Sequence, residues 1–183
     1  LNKQTGTTFL PTLCFDRQTT MARLLSQTAK LQKKGELSCE QLWLGSYFQK
    51  EILSASIPDV SIRWVDDQIG WGVFAERRFK EMEWIAEYTG ILRKRKKEDE
   101  KNSYCFEYRL APDVITNYSI DGRDHGGISR YINHNAAPNL TSALATVGGV
   151  THVILYTNRP IQAGEQLCYD YGPDYWKKRA LPS

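Results

Sequence analysis

The sequence predicts a mostly β domain with small helices, preceded by N-terminal helices. Three observations carry this. After Pro58, short runs alternate between apolar and polar residues, and turn signals close them. Before Pro58, the apolar residues follow helical spacing instead. No apolar run approaches the ~18 residues of a membrane span, and no segment repeats. A chain of 183 residues with 41% hydrophobic content can bury one core and carry an appendage. We therefore divide it into an N-terminal helical segment at 1–57, a β domain at 58–176 and a short tail at 177–183.

Residues 1–17 are aperiodic and are expected to be loose. Thr19 or Thr20 is expected to cap a helix through Met21, Leu24, Leu25, Thr28 and Leu31. Lys33 and Lys34 suit its C-terminal dipole, and Gly35 stops it. Ser38-Cys39-Glu40-Gln41 has capping-box form. The second helix then places Leu44, Phe48 and Ile52 on one face, so 19–56 reads as two helices that pack on the main domain. Beyond Pro58, Val60, Ile62 and Trp64 alternate as in a half-buried strand, and Asp66-Asp67-Gln68-Ile69-Gly70 is a turn. Strands follow at Trp71–Ala75 and Trp84–Tyr88. Arg93-Lys94-Arg95-Lys96-Lys97 runs straight into Glu98-Asp99-Glu100, which nearly cancels it, so a solvated loop or helix is expected. Tyr104–Leu110 and Asn117–Asp121 read as strands and Ile128–Ile132 as a short helix. Gly148-Gly149 marks a hairpin between Leu140–Val147 and Val150–Tyr156. Leu167–Tyr171 is the last strand.

A net charge of +3 is too mild and too dispersed for a dedicated nucleic-acid binder. The four cysteines, at 14, 39, 105 and 168, form no CxxC pair. That spacing argues against zinc, and strand-embedded thiols favour a reducing compartment. Gly70-Trp71-Gly72 lacks the third glycine and the helix of a dinucleotide fingerprint, yet its glycines let backbone approach a ligand. Ser129, His134 and Asp170 are residue types of a hydrolase triad, but no nucleophile elbow accompanies them.

Taken together, the motifs resemble those of SET-domain protein lysine methyltransferases. Gly70-Trp71-Gly72-Val73-Phe74-Ala75 resembles the first cofactor motif, and Ile85-Ala86-Glu87-Tyr88-Thr89-Gly90 the strand after it. Arg130-Tyr131-Ile132-Asn133-His134 with Pro138-Asn139 resembles the Arg-Phe-Ile-Asn-His-Ser-Cys-x-Pro-Asn signature. Asn158-Arg159-Pro160-Ile161 and Gly164-Glu165-Gln166-Leu167, leading to Tyr169-Asp170-Tyr171-Gly172, resemble the closing motif. The resemblance covers about 60–172 and makes 58–176 a SET domain. It implies short curved sheets around a pseudoknot, where 133–139 and 167–172 cross. It also implies S-adenosylmethionine as methyl donor, S-adenosylhomocysteine as product, and a narrow channel for the target lysine. Gly70, Trp71, Gly72, Tyr88, Arg130, Asn133, His134, Tyr171 and Trp176 would bind the cofactor. Tyr171 would be the catalytic tyrosine, with Tyr104 and Tyr169 lining the lysine channel.

Physical chemistry agrees with such a slot. Methyl transfer is an in-line displacement, so positioning carries much of it. The nucleophile is a neutral amine, and neutralising a lysine of pKa ~10.4 near pH ~7.4 costs about 4 kcal/mol. An apolar channel beside a sulfonium lowers that cost, and aromatic walls favour a methylated cation. By the same resemblance Tyr169 occupies a Phe/Tyr switch position, which predicts mainly mono- or dimethylation.

Two departures stand out. Asn135-Ala136 replaces Ser-Cys in the signature, which is expected to loosen the crossing. Within this sequence no cysteine-rich stretch flanks 58–176, so the chain is expected to resemble compact bacterial, particularly chlamydial, and viral members without a post-SET zinc module. The expected substrate is a lysine in a histone or histone-like basic protein, with Glu87, Glu107 and the acidic 98–100 patch as attractors. Neither a membrane nor direct nucleic-acid contact is required. The compartment is expected to be the bacterial cytoplasm, or a host cell and its nucleus after secretion, or otherwise a nucleus. The alternative is a catalytically weak SET-like module that binds a protein partner.

Overall fold

A computed structural model describes residues 6–176, without the side chains of Asp174 and Trp176. The tail at 177–183 lies outside the described residues. Contacts divide the chain into two compact units. One takes the residues up to 58, then 84–130 and 143–155. The other takes 59–83, 131–142 and those from 156 on.

The first unit is built on helices and sheet. Its first helix is Gln18–Lys34; Arg17 precedes it and gives no side-chain cap, so the expected cap at Thr19 or Thr20 is not used. Gly35 ends it in the left-handed region (φ 70°), where the absence of a Cβ makes the turn cheap. Ser38 caps the next helix, Cys39–Tyr47, by accepting the Gln41 N–H at 3.0 Å. The expected single second helix is two: the chain breaks at Phe48 and resumes as Gln49–Leu53. Leu44, Phe48 and Ile52 are nevertheless all buried, as their spacing required. Gly45 matters for a different reason. A Cβ there would stand 2.1 Å from the Thr146 carbonyl oxygen, so only glycine lets this helix reach the neighbouring strand backbone. Gln41 fastens the same contact by donating to the Thr146 hydroxyl at 2.7 Å.

Strand β1 (Thr8–Phe9) pairs in parallel with β9 (His125–Gly126), and β2 (Cys14–Phe15) with β6 (Ile91–Lys94). The first seventeen residues are therefore not loose across their described part. Backbone pairing fixes them, a signal that side-chain periodicity does not carry. The main sheet has the order β2-β6-β8-β7, with β8 at Val114–Asp121 and β7 at Cys105–Ala111. Leu24, Tyr88, Leu92, Tyr108, Leu110, Tyr118, Ile120 and Val153 form its core. A second sheet joins β5 (Trp84–Glu87) to the hairpin β11 (Leu140–Val147) and β12 (Val150–Thr157), which turns at Gly148-Gly149 as expected.

The basic block at 93–97 is not uniformly solvated. Arg93 lies on β6 and pairs with Asp99 and Asp121, both at 2.6 Å, with all three side chains at most 24% exposed. A 3-10 helix spans Lys97–Lys101. The second unit holds the hairpin of β3 (Val60–Asp66) and β4 (Gly70–Ala75), and the parallel pair of β10 (Asn133–His134) and β13 (Cys168–Tyr169). The last strand is thus two residues long rather than five. A short helix, Pro173–Trp176, follows. No helix among the described residues is long and apolar enough to cross a membrane.

Candidate active site

Asp66 shapes the β3–β4 turn by accepting the N–H groups of Gln68 and Ile69 at 2.9 and 2.7 Å. Trp64 and Trp71 face each other across the hairpin, edge to face at 5.5 Å. A Cβ on Gly72 would lie 2.7 Å from Gln166 Nε2, 2.8 Å from Val65 Cγ2 and 3.3 Å from Asn133 Nδ2. Glycine here lets side chains from both signature segments close onto this backbone without shifting aside. Asn133 completes the approach by donating to the Trp71 carbonyl at 3.1 Å.

The segments at 133–139 and 166–172 are then fastened to each other. Asn133 sits opposite Cys168, and His134 opposite Tyr169. Two residues of parallel ladder are little, and Asn139 extends them. Its amide donates to the Gln166 carbonyl at 2.8 Å, while its oxygen accepts the Cys168 N–H at 2.9 Å. A side-chain amide thus does the work of a peptide group at a 5% exposed position. The departure at Asn135-Ala136 does not open the pairing. Asn135 donates its N–H to the Tyr169 carbonyl at 3.2 Å and accepts the Ala137 N–H at 2.8 Å on its own side chain.

Tyr171 lies against this junction. Its hydroxyl donates to the Ile132 carbonyl at 2.9 Å, and its N–H donates to His134 Nδ1 at 3.2 Å. Asp170 also lies 3.5 Å from that nitrogen, but its side chain is 60% exposed and the amide hydrogen already occupies the lone pair. The ring of Tyr171 meets Tyr169 at 4.8 Å, Tyr175 at 4.6 Å and His134 at 5.5 Å. Gly70, Trp71, Gly72, Asn133, His134, Tyr169 and Tyr171 therefore share one unit, joined by these contacts. The donor set suits a zwitterionic, sulfonium-bearing cofactor: neutral amides, backbone beside glycine, and aromatic faces. Trp176 lies on the short terminal helix, and its side chain is outside the described set.

Tyr88, Tyr104 and Arg130 gather in the first unit. Tyr88 donates its hydroxyl to the Tyr104 carbonyl at 3.0 Å. The Arg130 guanidinium lies over the Tyr104 ring at 4.2 Å. Arg93 and its carboxylates brace the segment before Tyr104 through Asn102. Asn102 donates to Asp121 at 2.9 Å and accepts the Tyr104 N–H at 3.0 Å. Burial pushes the Asp99 and Asp121 carboxyls up, but hydrogen bonds from Arg93 and from backbone amides outweigh it, and both stay below the usual aspartate range.

Other expected roles change. Glu87 is not an exposed attractor: its side chain is 5% exposed and lies 2.6 Å from His152 Nδ1. Glu107 is engaged by Arg95 and Arg109. Ser129 is 1% exposed, which removes it as a nucleophile. Burial also pushes the Cys105 thiol up to about 12 and raises that of Cys168, so neither is a thiolate near neutrality. The sequence reading missed His152 as the partner of Glu87, and Thr7 and Arg123 as anchors of Arg130. Each bond joins residues far apart in sequence or in aperiodic stretches, so no local pattern signals it.

A family profile described as the SET domain matches residues 70–172, more than half of the chain. The chain is similar to the Drosophila melanogaster histone-lysine N-methyltransferase Su(var)3-9, 29% identical over 86% of this chain and 26% of that protein. It is 36% identical to the Saccharomyces cerevisiae H3 lysine-4 specific histone-lysine N-methyltransferase, over 55% of this chain and 10% of that one. Among solved structures it resembles ctPRC2 in an autoinhibited conformation bound to S-adenosylmethionine. There the TM-score is 0.58 at 26% identity, covering 69% of this chain and 17% of the other. The chain thus spans about a quarter or less of the length of these relatives.

Proposed function

Because the chain belongs to the SET-domain family, we propose that it is a protein-lysine methyltransferase using S-adenosylmethionine, with histones or similar basic proteins as substrates. The observation that carries this reading is the fixed Tyr171 hydroxyl, held on the Ile132 carbonyl next to the paired Asn133-His134 segment. When bound, S-adenosylmethionine would supply an electrophilic sulfonium methyl group for the neutral amine of the target lysine.

The chain's own groups do the rest. Asn133 and the Trp71–Gly72 backbone would hold the amino-acid end of the donor, and the His134 backbone would lie beside its adenine. Tyr171, pinned through its hydroxyl and its N–H, would offer an oxygen lone pair to the reacting centre without rearrangement. Tyr169 and Tyr175 crowd the Tyr171 ring, exclude water and offer π faces to the methylated ammonium. Tyr104 serves the lysine side. The proton lost by the target ammonium before transfer goes to solvent, since no buried acid or thiolate is assigned to take it. Tyr169, 5% exposed, is assigned to limiting the product to one or two methyl groups.

Incubation with methyl-labelled S-adenosylmethionine and mixed core histones tests the reading. Label is expected on lysine, with S-adenosylhomocysteine binding seen by calorimetry. Binding without transfer to any basic protein would leave a SET-like binding module instead. The absence of both binding and transfer would overturn the proposal.

A further inference from the structure

We infer that the N-terminal strand Thr8–Phe9, with Thr7, is a strap that positions the Tyr104 ring through Arg130. The inference rests on the reading of Tyr104 as a residue of the lysine side, and it concerns a stretch outside the family-matched residues 70–172.

Arg130 has its guanidinium over the Tyr104 ring, 4.2 Å from the ring centre. Fixed acceptors aim it, among them the Thr7 hydroxyl at one terminal nitrogen and the Arg123 carbonyl, 3.0 Å from the other. Both anchors depend on the N-terminal strand. Thr7 immediately precedes it. Arg123 belongs to the loop on which the strand is laid, since Thr8 donates its N–H to the Asp124 carbonyl at 2.9 Å and Leu10 to the Gly126 carbonyl at 3.0 Å. Thr89, next to Tyr88, donates its hydroxyl to the Leu10 carbonyl at 2.7 Å and holds the far end. Gly126 is tight against Arg130 as well; a Cβ there would lie 3.2 Å from Arg130 Cδ.

The backbone of Tyr104 has separate support. Its carbonyl accepts from the Tyr88 hydroxyl and from the Gly122 N–H at 2.9 Å, and its N–H donates to Asn102. The ring is contacted differently: Tyr104 is 38% exposed, and the Arg130 guanidinium stacks on its face. Release of the strap would therefore leave the residue in place and free its ring. Arg130 is in this sense a positioning residue for the substrate side. A lysine cannot replace it, because only a planar guanidinium stacks and donates to two acceptors at once.

The test uses the full chain with 3-fluorotyrosine in place of Tyr104, in the backgrounds Thr7→Val, Thr7→Ser and Arg130→Lys. Thr7→Val and Arg130→Lys are expected to shift the fluorine resonance and to raise KM for mixed core histones about fivefold. Affinity for S-adenosylhomocysteine, measured by calorimetry, should stay within about twofold, since only the substrate side is disturbed. Thr7→Ser keeps the hydroxyl and should return most of the loss. An unmoved resonance with unchanged KM overturns the strap. A loss of S-adenosylhomocysteine affinity as large as the KM effect overturns it too, and returns Arg130 to the cofactor. If the unsubstituted protein neither binds S-adenosylhomocysteine nor transfers methyl, the functional reading fails, while the fluorine shift still decides whether Thr7 and Arg130 hold this ring.

Discussion

Two regions carry the candidate chemistry, and they are fastened in opposite ways. The junction of 133–139 with 166–172 is held by neutral groups: a two-residue ladder, the Asn139 amide bridging Gln166 and Cys168, and the Tyr171 hydroxyl on a carbonyl. The loop before Tyr104 is held by charge: Arg93 between Asp99 and Asp121, with Asn102 passing the restraint to the Tyr104 backbone. A neutral fastening leaves no fixed charge to compete with a sulfonium for the same aromatic faces. A charged one fixes a surface loop that has little apolar area to bury. The second gains rigidity at the cost of sensitivity to acid.

The largest expected effect breaks the neutral side at its functional end. Tyr171→Phe should lower kcat by about 10²–10³-fold, with cofactor affinity nearly unchanged, as read by single-turnover kinetics and calorimetry. Breaking the charged side comes next. Arg93→Met strands two largely buried carboxylates and should cost about 3 kcal/mol in urea unfolding. Asn139→Ala orphans a buried N–H and a carbonyl together, and a loss of about 2 kcal/mol is expected by the same measurement.

Acid separates the two fastenings without mutation. The folded Asp99 and Asp121 carboxyls lie below their unfolded values, so the folded state takes up protons later than the unfolded one. Their stabilisation is full above roughly pH 4 and is lost as pH falls through the lowered folded values. The urea midpoint should drop in that window, and Asp121→Asn should flatten the drop. A slope that the variant does not change would remove Asp121 from this role. The Asn139 clamp carries no titrating proton and contributes nothing to the slope. The smallest change is Tyr169→Phe: stability should fall by no more than about 1 kcal/mol, while mass spectrometry shows a shift toward higher methyl states. An unaltered methyl distribution would remove Tyr169 from product control.

How far these regions can be read from the sequence differs for the same physical reason. The neutral junction announces itself, because Asn133-His134, Pro138-Asn139 and Tyr169-Asp170-Tyr171 are short contiguous motifs. The charged loop hides: Arg93 sits in a basic run that looks solvated, and its partners are 6 and 28 residues away. Glu87 misled in the opposite direction. As a carboxylate in an apolar strand it resembled a surface charge, whereas His152, 65 residues on, lets it be buried.

The sequence alone determined the mostly β character, the hairpin at Gly148-Gly149, the helix stop at Gly35 and the family motifs. Each depends on residues that are neighbours or one period apart, and local sterics act on them directly. Only the tertiary structure decided the rest. It broke the second helix at Phe48, built the first residues into paired strands and buried Arg93. It also laid Arg130 on Tyr104 under Thr7. Those outcomes depend on which distant backbone groups meet, and hydrogen bonds between remote segments leave no periodicity in the chain that makes them.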